Sequence, residues 1–199
     1  MSVNLQKGQK VNLKKANGQG TLQRVMVGLG WDEVEQKRGF FGFGPKPEDI
    51  DCDASAIMCR GGKLLDKADL VFYNNLTHAT GTVVHQGDNL TGAGDGDDEQ
   101  IYVDLARMPQ AYDRVVFVVT IYQARERKQH FGLIRNAFIR ICDADNGTEI
   151  CKFNLSENYY GKTAMIVAEV RRAGSEWTFN AIGEPTTDNS IVDMAGRFM

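Results

Sequence analysis

The chain has 199 residues, a formal net charge of -3 and a pI of about 5.6. That balance excludes a dedicated nucleic-acid binder, and the length is enough to bury a core without disulfide or metal staples. With 21 glycines and only 4 prolines, the composition predicts many turns and short strands, in one domain spanning residues 1–199.

Taken in chain order, the segments 10–13 and 24–27 alternate apolar and polar residues as half-buried strands do. Further strands are predicted at 56–59, 70–73, 82–84, 114–123, 136–142, 149–153, 162–171 and 177–182. Gly61-Gly62, Asn74-Asn75, Asn146-Gly147 and Gly174-Ser175 supply turns between them. Strands following strands, with hairpin turns, predict a mainly β fold: a two-sheet antiparallel β-sandwich with short helical segments. Helix is expected only as one turn at 106–112, broken by Pro109, and as a short segment over 190–198. The Gly- and Pro-rich stretch between Trp31 and Asp51 reads as a long loop, with Phe40, Phe41 and Phe43 packed down on the sandwich.

Residues 1–8 lack the apolar core of a signal peptide, and the longest apolar run, 115–119, is far short of a membrane span. A cytoplasmic location is the expectation. Cys52, Cys59, Cys142 and Cys151 form no CxxC pair and are expected to be buried thiols.

The segment 87–99 carries the chemistry. It holds Asp88, Asn89, Asp95, Asp97, Asp98 and Glu99 among four glycines, and no Lys or Arg lies between His85 and Arg107. Carboxylates crowded in a turn repel one another, and a hard divalent cation relieves that repulsion. A second acidic pair, Asp51 and Asp53, flanks Cys52. On a strand the two carboxylates share one face and Cys52 takes the other. Asn74 and Asn75 add amide oxygens. Calcium takes six to eight oxygens at about 2.3–2.6 Å, and this supply suffices for two ions. A solvated acidic turn without an ion is the competing reading.

The loop is not an EF-hand. With Asp95 as first ligand, Gln100 stands where the glycine belongs and Ala106 where the bidentate Glu belongs. No Gly-Lys-Ser/Thr follows a Gly-rich turn, and GxSxG and HExxH are absent. Clustered carboxylates suit an ion better than proton transfer, so no enzyme is expected. The basic run 125–130 reads as a solvated hairpin tip, and His78, His85 and His130 as surface residues.

The segments 27–32 (VGLGWD), 51–55 (DCDAS), 70–75 (LVFYNN), 87–100 and 131–140 (FGLIRNAFIR) resemble, in order, the tellurium-resistance (TerD) family. The resemblance implies a β-sandwich, calcium held in acidic loops, and bacterial tellurite or stress resistance without an established enzyme activity. It implies partners among other tellurium-resistance or stress proteins, no direct membrane insertion, and a complex whose association with a membrane is open. Carried over position by position, the calcium ligands are Asp51, Asp53, Asn74, Asn75, Asp88, Asn89, Asp95, Asp97, Asp98 and Glu99. A calcium-independent scaffold in which the ion is only structural is the alternative.

Overall fold

The computed structural model describes residues 2–15, 18, 20–33, 49–87, 96–155, 157 and 159–199. Two six-stranded sheets face one another. The strands are β1 (Val3–Leu5), β2 (Lys10–Asn12), β3 (Arg24–Glu33), β4 (Cys52–Cys59), β5 (Leu70–Val71), β6 (Val83–His85), β7 (Glu99–Asp104), β8 (Arg114–Ile121), β9 (Ile134–Asp143), β10 (Glu149–Asn154), β11 (Ala164–Ala173) and β12 (Glu176–Thr186). A helix, α1 (Ile191–Gly196), follows. One sheet runs β1-β10-β9-β3-β7-β6 and the other β2-β12-β11-β8-β4-β5. Every pairing is antiparallel except β1 on β10, where Val3 lies opposite Cys151.

The second sheet is buried on both faces. Cys52, Ala54, Ala56 and Met58 of β4 enter the core between the sheets, while Ile57 and Cys59 pack on the outer face. That face is covered by Ile191, Met194, Ala195 and Phe198. The double burial explains why β8 reads as an unbroken apolar run rather than an alternation. Ser190 caps α1, its hydroxyl accepting the Asp193 N–H at 3.1 Å.

Several expectations are corrected here. Residues 106–112 form turns rather than a helical turn, with the Tyr112 N–H on the Pro109 carbonyl at 3.0 Å. The turn Phe72–Asn75 ends β5 after two residues. β1 and β7 lie where no strand is predicted, and β3 extends through Glu33 into the expected loop. Phe40, Phe41 and Phe43 lie outside the described residues.

Candidate functional site: an acidic loop seated on a glycine trough

β5 pairs with Ala56 and Ile57, so among the described residues the start of β4 has no strand beside it on that edge. Two side chains from the opposite sheet take the vacant places. Glu99, the first residue of β7, accepts the Ala54 N–H at 2.5 Å. His85, the last residue of β6, meets the Ala54 carbonyl through Nε2 at 3.1 Å. His85 Nδ1 accepts the Gly87 N–H at 3.0 Å, so the ring proton sits on Nε2, which donates to Ala54. Both backbone polar groups of one residue, Ala54, are thereby satisfied across the core. Three segments converge on it: 51–53, the start of the acidic loop at Gly87, and its end at 97–99.

The far arm of that loop lies on β3. Gly28 and Gly30 face outward, and a side chain at either would collide with the arm. A Cβ on Gly28 would stand 2.3 Å from the Asp97 carboxylate, and one on Gly30 would stand 2.5 Å from the Gly96 carbonyl and 2.6 Å from the Phe138 ring. Alternate glycines on one strand thus make a trough into which the arm sinks. The Asp98 N–H donates to the Leu29 carbonyl at 2.8 Å, and Asp98 Oδ2 accepts the Trp31 N–H at 2.8 Å.

The Asp97 side chain is fully buried and held by Arg140 of β9 in a two-pronged contact, Nε to Oδ1 at 2.7 Å and Nη2 to Oδ2 at 3.0 Å. Gln100 adds a third donor at 3.1 Å. The hydrogen bonds that Arg140 donates to Asp97, and the negative charges around it, raise the Arg140 pKa above its ordinary value. Asp98 is the neighbour of Asp97 in the chain. Burial pushes its carboxyl above the usual range; the Trp31 N–H opposes this, and the charges of Asp32 and Asp97 add to it.

The sequence-predicted residues fall into three groups. Asp51 (9% exposed) and Asp53 (6%) stand at the start of β4, Glu99 (2%) reaches the neighbouring Ala54 N–H, and Asp97 and Asp98 lie against β3. Asn74 is exposed in the turn after β5, and Asn75 donates to the Leu70 carbonyl at 2.6 Å. The next residue, Leu76, accepts the His85 N–H at 2.7 Å, so this turn flanks the loop's entry. Asp88, Asn89 and Asp95 lie outside the described residues. Among the described residues, no three His, Cys, Asp or Glu side chains form a metal-holding group. The described acidic donors are nonetheless hard oxygens. A cation beside Asp98 would favour its ionised form, so in kind they fit a hard divalent ion.

Two histidines overturn the surface expectation. His85 is 2% and His78 3% exposed. Each is hydrogen-bonded at both ring nitrogens. His78 Nε2 meets Asp69 Oδ1 at 3.1 Å, where the Tyr112 hydroxyl donates at 2.7 Å, and Arg60 donates to Asp69 Oδ2 at 2.8 Å. Burial alone would raise the Asp69 pKa, but the hydrogen bonds from Tyr112, His78 and Arg60 together hold it below the ordinary value.

Fold and loop together define a class: a two-sheet sandwich whose acidic loop is seated on a glycine trough and locked by an internal arginine. The TerD domain model matches residues 1–198, and the chain belongs to this family of tellurium-resistance and stress-response proteins. Stress response protein SCP2 of Bacillus subtilis (strain 168) is 49% identical over 204 residues, covering 100% of both chains. Tellurium resistance protein TerD of Serratia marcescens is 44% identical over 185 residues, 92% of this chain and 91% of that protein. The crystal structure of SAV2460, a protein of unknown function, superposes with a TM-score of 0.68 at 25% identity, covering 87% of this chain and 95% of that one.

Proposed function

We propose that this chain is a calcium-binding, non-enzymatic protein of the bacterial tellurite and stress response, acting in the cytoplasm. Calcium orders its acidic loops into a surface for other tellurium-resistance or stress proteins. The observation that supports this reading is the tie from Glu99 and His85 to the Ala54 backbone, which brings the end of the acidic loop against the segment that carries Asp51 and Asp53. Asp51, Asp53, Asp98 and Glu99 would hold the ion, with Asn74 and Asn75 flanking and Asp88, Asn89 and Asp95 as the candidates from sequence. The ion supplies positive charge that joins segments which otherwise repel. No helix among the described residues is long and apolar enough to cross a membrane. Membership of a family whose relatives are named for tellurium resistance and stress response supports the physiological part.

Calorimetric titration of chelator-stripped protein tests the reading. Binding of up to two calcium ions, with a rise in melting temperature at saturation, is the expected result. An unchanged melting temperature and no heat of binding would sink it. Pull-down of partners with and without chelator then separates a calcium-gated surface from a scaffold in which the ion is only structural.

A further inference from the structure

We infer that the counter-cation of Asp97 is Arg140 rather than a metal ion, and that Arg140 is thereby the positioning residue of the calcium site. This inference rests on the calcium reading given above. Asp97 has no exposed side-chain surface, and both its oxygens are engaged by the Arg140 fork. Gln100 takes a further position on Oδ2, and the Gly28 trough closes on the carboxylate from below. Arg140 is itself held, since Nη1 donates to Glu149 Oε2 at 3.3 Å and Glu149 Oε1 accepts the Ser2 hydroxyl at 2.5 Å.

The neighbour of Asp97 in the chain is Asp98, which turns back onto β3 through Leu29 and Trp31. The next residue, Glu99, reaches the Ala54 peptide. Fixing Asp97 therefore fixes the direction in which the two following carboxylates leave the strand. The arm is built before any ion arrives, and ion binding does not bear the cost of ordering it. Asp97 anchors the arm; Asp98 and Glu99 face the ion.

Coulomb's law and positioning predict opposite outcomes for one variant. Removing a positive charge beside a cation site tightens cation binding if charge alone matters. If Arg140 positions the arm, its loss weakens binding. The experiment titrates calcium into chelator-stripped wild type, Arg140→Gln, Arg140→Lys and Asp97→Asn, and follows amide hydrogen exchange of the same four proteins in chelator. Arg140→Gln and Asp97→Asn are expected to keep the wild-type number of ions and to bind them about tenfold or more weakly. Arg140→Lys, which keeps the charge and loses the fork, recovers part of that affinity. In chelator, the Asp98 and Trp31 amides exchange at least about tenfold faster in Arg140→Gln and Asp97→Asn than in wild type, while the β8 amides stay protected. Tighter calcium binding by Arg140→Gln, or loss of one ion equivalent in Asp97→Asn alone, would overturn the assignment. Unchanged exchange at Asp98 and Trp31 would overturn the clamp with no ion present. Should wild type bind no calcium, the calcium reading and the ligand-positioning role fall together, and the exchange result alone decides whether the Arg140 clamp exists.

Discussion

Glu99 of one sheet accepts the amide of Ala54 in the other at 2.5 Å, so a carboxylate stands where an edge strand would supply a carbonyl. Replacing Glu99 with Ala leaves a buried N–H without its acceptor. The expected cost is about 1–3 kcal/mol, read as a lower midpoint in urea unfolding with an unchanged slope. Glu99→Ala is also expected to weaken calcium binding, because the 51–53 segment loses its tie to the loop.

The trough gives a sharper steric prediction. Gly28→Ala places a methyl within 2.3 Å of the Asp97 carboxylate, and Gly30→Ala places one 2.5 Å from the Gly96 carbonyl. Either change forces the arm off β3 at a cost of about 1–3 kcal/mol. Thermal unfolding measures the loss, and loss of protection at the Asp98 amide locates it. A wild-type melting temperature in both variants would show that the arm does not lie in the trough.

Acid stability turns on Asp69. Its folded pKa is depressed, so it contributes stability that is full above its ordinary value of 3.8 and is lost as pH falls through the lower folded value. Asp69→Asn is expected to cost about 3 kcal/mol at neutral pH, because it breaks a buried charged network. The gap to wild type should narrow as pH is lowered towards about 2.5, below the usual carboxylate range. Urea midpoints of both proteins across that window provide the check; a constant gap would exclude the depressed carboxylate as its source.

All four cysteines are buried thiols, as the spacing predicts. Burial pushes the Cys59 thiol up to about 11 and that of Cys151 to about 12, and it raises Cys142 as well. A thiol reagent at about pH 8 is therefore expected to label none of them in the folded protein and all of them after denaturation, with mass spectrometry counting the adducts.

The strands of the second sheet were legible because their burial is written in apolar residues, 114–121 above all. Cys52 inward with Asp51 and Asp53 on the other face follows from strand alternation, and Cys52 lies in the core between the sheets. β7 was hidden because its first inward position is a carboxylate, which hydropathy reads as loop. β1 was hidden because three residues are too few to show a period, and its partner is parallel and distant. The acidic segments of the candidate site could be named from sequence. Arg140 could not, since it lies 43 residues from Asp97 and the pair shares no motif. The available signal was indirect: an arginine on the outward face of β9, opposite Gly28. The histidines were misread because their burial depends on hydrogen bonds to the Asp69 carboxylate and the Ala54 carbonyl, which no spacing reveals.

Neither β1 nor β2 pairs with a strand near it in the chain. Val3 waits for Cys151, and Asn12 for Thr178. On a ribosome making the chain from its amino end, the segment 3–12 emerges early and stays unmatched until most of the two sheets have been synthesised. Its docking then joins both layers at once, since β1 completes one sheet and β2 the other. The stretch in between is exposed edge looking for a strand, the condition in which nascent β proteins depend most on holding factors. A member of a stress-response family is thereby itself vulnerable at the moment of its manufacture.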